Sequence, residues 1–172
     1  MSFRFFVLML TVVSTALAAD TGRKRVAIVI DDGPVPAHNA AFLELFAREH
    51  VQVTFSHVGR NVVAHPELTK NTAAAGHEIA NHSYTHPHLN PMSAEAVEKE
   101  VGDTSAAIKT ATGQAPAWFW APFLEHDEHV DAAVRKATGL EHFPYTQYHF
   151  ISTSDWEAST TAEQFRERAT TG

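Results

Sequence analysis

The amino-acid sequence predicts an α/β fold of parallel strands, a sheet or a barrel, and three observations lead there. From residue 25 onward, apolar runs of strand length alternate with segments of helical period, the pattern of successive βαβ units. The polar residues that stand out follow those runs at their carboxyl ends, where loops converge and sites assemble in such folds. The chain has 172 residues, enough for one domain with a sizeable core. It falls short of the roughly 200–250 residues usual for a closed (β/α) barrel.

The elements follow in order. Residues 25–30 (RVAIVI) form a continuous β-branched run, as in a strand buried on both faces. Phe42, Leu45 and Phe46 fall at i, i+3 and i+4 and predict a helix over 37–50. Residues 51–58 read as a second strand, 66–75 as a helix stopped by Gly76, and 77–80 as a short third strand. Ser93 is the expected N-cap of the next helix, with Glu95, Glu98 and Glu100 in its first turns, where the helix dipole favours acids. Val97, Val101, Thr104 and Ile108 line one face of it, and Gly113 ends it. A fourth strand is expected over 117–123 (AWFWAPF), then a helix over 127–137 ending at Gly139. One or two strands within 143–153 and a last helix over 162–169 complete the pattern. No strand follows that helix, so the chain is expected to stop before the fold is complete.

Composition narrows the chemistry. Hydrophobic residues make up 44% and charged residues 19%, which suits a globular protein. The formal charge of −7 argues against nucleic acid or an anionic membrane as partner. With no cysteine, disulfides, thiolate metal sites and thiol catalysis are excluded; with 12 histidines, any transition-metal site must be built from imidazole and carboxylate. Arg4, the apolar run 5–13 and Ala16-Leu17-Ala18 have the pattern of a secretory signal over 1–18, cut after Ala18 or Ala19. That apolar run is shorter than the roughly 20 residues of a membrane span. The mature chain is therefore expected to carry no transmembrane helix and to be secreted or periplasmic, with residues 25–172 as its one domain.

Asp31 and Asp32 are adjacent carboxylates followed by Gly33-Pro34. They read either as an ordinary strand-end turn or as a pair that needs a cation to ionise together. In the second case one can ligate the metal while the other faces water. His82 and His86 stand at i, i+4, a spacing that brings two imidazoles together on a helical turn. Ser83 stands where the zincin motif has its general-base Glu, so this is not that motif. Two His and one carboxylate leave positions open for water and substrate, which suits catalytic zinc or another first-row metal. Trp118 and Trp120 read as core or cleft wall, and His126 and His129 as solvent-facing residues at a helix start. Asp155 alone reads as a cap.

Taken together, these residues resemble the polysaccharide deacetylases (carbohydrate esterase family 4, the NodB homology domain). Val29-Ile30-Asp31-Asp32-Gly33-Pro34 is similar to that family's T-F-D-D-G-P, and Val53-Thr54-Phe55 with Gly59 and Asn61 to its A-T-F-F-V-x-G-x-N. Pro66-Glu67-Leu68 and the stretch from Gly76 to Pro87 resemble P-E-L and G-H-E-I-x-N-H-T-x-x-H-P. Ala111-Thr112-Gly113 and Asp155-Trp156 also fall in family order.

The resemblance implies a distorted, incomplete (β/α) barrel lacking its last strand. It implies Asp31 as catalytic base, with Asp32, His82 and His86 as ligands of a divalent metal, zinc first, then cobalt, nickel or iron(II). Asp155 would orient a general-acid His, while Pro122, Phe123 and Trp156 would line the substrate cleft. The implied substrate is an acetylated polysaccharide, an N-acetylglucosamine polymer or peptidoglycan ahead of acetylxylan. Two departures stand out. The family's F-R-P-P-Y-G reads Phe119-Trp120-Ala121-Pro122-Phe123 here, so Trp120 replaces the Arg that would pair with the base. The family's L-x-H strand, bearing the acid, would lie beyond Gly172. Two other readings compete: a metal-containing carbohydrate-binding relative without turnover, and a non-haem iron oxygenase, which the alternating βα pattern disfavours.

Overall fold

A computed structural model describes residues 26–144 and 150–171. The leader pattern over 1–18 lies outside the described residues. Three strands form a parallel sheet in the order β1-β2-β3: β1 Val29–Gly33, β2 Thr54–His57 and β3 Glu78–Asn81. Two single-residue parallel bridges continue the arc, Asn81 to Phe119 and Phe119 to His142. The architecture is α/β, an open and distorted (β/α) barrel, as predicted.

The helices are α1 Pro36–Glu49, α2 Gly59–Ala64, α3 Pro66–Ala74, α4 Ala94–Thr112, α5 Glu128–Thr138 and α6 Ala162–Thr171. Sequence punctuation sets their ends. The Ser93 hydroxyl accepts the Ala96 N–H, and Asp127 does the same for Val130 at the start of α5. Gly113 and Gly139 close the two helices in left-handed conformations, at φ 79° and 72°. The four residues expected on the inner face of α4, Val97, Val101, Thr104 and Ile108, are all buried.

That face joins two cores. Val97 and Val101 pack with Leu89, Phe119, Val130 and Val134. Ile108 packs with Phe46, Val53, Phe55, Val62 and Ile79. Each such side chain contributes about 1.5–3 kcal/mol by leaving water, so α4 is the element on which both halves depend.

Three expectations need correction. Residues 117–123 are not a strand: Pro116 before the run and Pro122 within it lack N–H donors, leaving Phe119 as its only bridge residue among the described positions. The described parts of 143–153 carry no strand either, and 145–149 lie outside the described residues. Helix α2 was not expected, because its six residues are too few to show a period.

Candidate metal centre

Strand β1 runs through both carboxylates, so Asp31 and Asp32 occupy its last turn of pleat and do not follow it. Asp32 takes a left-handed conformation, φ 64°, and its carbonyl accepts the Asn61 side-chain N–H at 3.1 Å. Gly33 is glycine for want of room: a Cβ there would come within 2.6 Å of the buried His57 ring.

His82 and His86 leave β3 in a loop and not on a helical turn. Ser83 and His86 are both left-handed, at φ 59° and 62°, and it is this bend that turns the two imidazoles toward each other. Their ring centroids lie 4.9 Å apart. Glu100 of α4 holds the bend, its carboxylate accepting the Tyr84 and Thr85 N–H groups at 2.7 Å each and the Thr85 hydroxyl at 2.8 Å. Asn81 holds it from the other side. Its side chain accepts the Ser83 N–H at 2.9 Å and donates to the Val101 carbonyl at 2.8 Å and the Ser105 hydroxyl at 2.9 Å.

One Asp32 oxygen, Oδ1, lies 3.5 Å from His82 Nε2 and 3.3 Å from His86 Nε2, and the three ligand atoms all fall within 4.8 Å of one another. Bonds of about 2.0–2.1 Å to a tetrahedral ion would separate its ligands by roughly 3.3 Å. His82 Nδ1 donates to the Trp120 carbonyl at 2.6 Å. A carbonyl can only accept, so the neutral ring presents a lone pair at Nε2, toward Asp32. A lone pair facing a carboxylate oxygen requires a proton or a cation between them.

The electrostatics agree. Hydrogen bonding from His82 is the main influence holding the Asp32 carboxyl below the usual range: that proton fills the place a cation would take. Burial, then the neighbouring His82, push the His86 imidazole down, toward the neutral form that ligates. These residues fit a divalent metal.

Asp31 stands beside this group. Exposed as a residue, it nonetheless has its carboxyl crowded by protein, and desolvation pushes its pKa up, against the opposing influence of His82. The Trp120 indole N–H donates to its Oδ2 at 3.2 Å. Pro122 is buried, while Phe123 is 54% exposed and meets the His86 ring edge to face at 4.7 Å.

The remaining expectations fare differently. Asp155 does not end a strand; it lies exposed in a turn, where the Thr153 hydroxyl donates to it at 2.5 Å. Trp156, beside it, is 72% exposed. No described hydrogen bond, ion pair or ring contact joins either residue to the metal-ligand group. His126 is half-buried and stacks on His142 at 3.9 Å, against the expectation of a solvent-facing side chain; His129 is exposed as expected. Asn81, Glu100 and the double role of Trp120 went unread in the sequence. The position of Asn81 directly before His82 was the one available signal.

Known proteins supply an independent comparison. A family model described as polysaccharide deacetylase matches residues 18–142, a stretch that ends before Asp155 and Trp156. A chitooligosaccharide deacetylase of Rhizobium leguminosarum bv. trifolii is 38% identical over 96 residues, 56% of this chain and 45% of that protein. The peptidoglycan-N-acetylglucosamine deacetylase PgdA of Listeria monocytogenes is 31% identical over 134 residues, 78% of this chain and 27% of that one. The chain thus spans less than half the length of both. A solved family 4 carbohydrate esterase from Streptomyces lividans, in complex with acetate, superposes with a TM-score of 0.75 at 25% identity, covering 83% of this chain and 71% of that one. With a family model matched over most of its length and the ligand trio assembled within that match, this chain belongs to the polysaccharide deacetylase family.

Proposed function

We propose that the protein is a metal-dependent hydrolase that removes acetyl groups from a polysaccharide, with N-acetylglucosamine polymers and peptidoglycan ahead of acetylxylan. The observation that carries this reading is the placement of Asp31 beside the convergent Asp32, His82 and His86. The names of the two curated relatives support the substrate class.

Asp32 Oδ1, His82 Nε2 and His86 Nε2 would hold the ion, zinc first among the candidates and then cobalt, nickel or iron(II). When bound, a divalent cation supplies Lewis-acid polarisation of the acetyl carbonyl and lowers the pKa of water. The Trp120 indole N–H donates to Asp31 Oδ2 and orients the carboxylate, which would take the proton from the attacking water. The Phe123 backbone N–H would steady the developing oxyanion. The carbonyl carbon gains the water oxygen and loses the amine or alcohol, whose leaving nitrogen or oxygen takes up the proton removed from the water, releasing acetate. Asp155 and Trp156 stand apart from the trio and are given no step.

Acetate release from an N-acetylglucosamine oligomer, with zinc and with a chelator, tests the reading: release should depend on the metal. Equal release in chelator would overturn it. A second reading, a metal-containing carbohydrate-binding relative without turnover, is favoured by Trp120 in the place of the pairing Arg; its mark would be oligomer binding with no acetate. On the leader pattern of residues 1–18 we also place the protein outside the cytoplasmic membrane, secreted or periplasmic, which cell fractionation would test.

A further inference from the structure

Next to the ligand group lies an aromatic surface whose side chains the chemistry above leaves unused. His88 and Phe123 stack almost in parallel, ring centroids 4.1 Å apart at 14°, and both are exposed. Glu125 fixes the imidazole, its two carboxylate oxygens lying 3.0 and 2.9 Å from His88 Nδ1. The other neighbour of the Phe123 ring is His86, so the surface is continuous with the ligand trio.

Stability does not account for this arrangement. Phe123 and Leu124 are consecutive left-handed residues, φ 57° and 56°, a conformation that bulky side chains take only under strain. The result of that strain is to hold a large apolar ring in water, which forgoes the burial that normally stabilises a phenylalanine. Strained backbone presenting an exposed aromatic pair beside a reactive group is the mark of a ligand contact.

We propose that the His88–Phe123 pair, fixed by Glu125, is a carbohydrate subsite for the sugar unit next to the one that reacts. This rests on the deacetylase reading of the adjoining site. The apolar C–H face of a pyranose matches a flat aromatic surface, and the Glu125 carboxylate at its rim can accept from sugar hydroxyls. Phe123 touches His86 and His88 lies beyond it, so the platform starts one ring width from the ligand trio. A single sugar at the reaction site would not reach it; a polymer would. The pair therefore selects chain length.

The test is the affinity of the zinc-loaded full chain for the N-acetylglucosamine pentamer, by isothermal titration, and for the monomer, by NMR titration. His88→Ala should weaken the pentamer by about three- to tenfold, the usual worth of an aromatic contact, and leave monomer and zinc affinity unchanged. His88→Tyr, which keeps a ring to stack on Phe123, should restore pentamer affinity. Glu125→Gln should lie between them. An undiminished pentamer affinity in His88→Ala, or an equal loss for monomer and pentamer, would overturn the subsite. Acetate release from the same samples separates the two readings. Length-selective binding without acetate release keeps the subsite and sinks the deacetylase; release with unchanged pentamer affinity does the reverse.

Discussion

Trp120 and Asp31, 89 positions apart in sequence, are joined by a hydrogen bond from the indole N–H to Oδ2 at 3.2 Å. The same tryptophan accepts from His82 Nδ1 through its carbonyl, at 2.6 Å. One residue therefore sets both the proposed base and one proposed ligand. An indole N–H is a neutral donor. It orients the carboxylate without offering the full charge that a guanidinium would bring.

The first prediction concerns pH. Burial holds the Asp31 pKa above its ordinary value, and a base works only when deprotonated. Activity should therefore rise with pH through a raised acidic limb. Trp120→Arg places a cation beside Asp31, lowers its pKa and should move that limb to lower pH. The pH–rate profile of kcat/KM checks this, and an unmoved or upward-shifted limb would count against Asp31 as the base.

Removal of a ligand should show in binding and in stability together. Asp32→Ala, His82→Ala and His86→Ala each delete one of three protein ligands. Excess zinc should stabilise the native chain by about 2.7 kcal/mol at a hundredfold excess over Kd, and each variant should lose most of that gain. Melting curves with zinc and with chelator measure it. Undiminished stabilisation in all three variants would remove the site.

Asp31→Asn should separate binding from chemistry. Asp31 is not in the ligand trio, so zinc affinity should hold while acetate release falls by about 10²–10⁴-fold, the usual worth of a positioned proton acceptor. Comparable turnover would place the base elsewhere.

How much of this was legible depended on the range of each interaction. The cap and face of α4 and the glycine stops of α4 and α5 could be read because Ser93, Gly113 and Gly139 act on neighbours within a turn. The ligand residues are legible through motif resemblance, but their i, i+4 spacing points to a helical turn as the means of convergence. In fact the left-handed Ser83 and His86 achieve it, and a single sequence gives no sign that a non-glycine residue will adopt that conformation. Residues 117–123 look like a strand because six of the seven are aromatic or alanine, yet Pro116 before the run and Pro122 within it leave one bridge position. Glu100 illustrates the other failure. Its place early in α4 suggested a response to the helix dipole, whereas it binds a loop 15 and 16 residues upstream, a contact that only tertiary packing reveals.

A fourth prediction concerns acid stability. Burial pushes His57 down to about 3 and His142 down to about 4, from an ordinary value of 6.5. Both rings are therefore neutral in the folded chain where the unfolded chain would already be protonated. Below about pH 6.5 the unfolded state binds more protons, so stability should fall as pH drops toward 4. In chelator, to exclude metal effects, His57→Leu should have a flatter melting temperature against pH over this window. An equal slope would mean that other groups govern acid unfolding.

The last prediction follows from Glu100 and its three hydrogen bonds to the bend that carries the ligands. A carboxylate that accepts from two backbone N–H groups and a hydroxyl contributes charge-assisted bonds, roughly twice as strong as neutral ones. Its effect is local, because the bend lies at the edge of the cores and α4 keeps its buried face without it. Glu100→Ala should therefore leave most of the global stability in place while loosening the relation between His82 and His86. Partners behind metal ligands typically cost 10–100-fold in affinity when removed, and a loss of about that size is expected in zinc titrations. Ser93→Ala serves as the control: it removes the N-cap of the same helix and should cost about 1 kcal/mol with no change in zinc affinity. If Glu100→Ala lowers stability as Ser93→Ala does and leaves zinc affinity untouched, the carboxylate serves the fold and not the ligands.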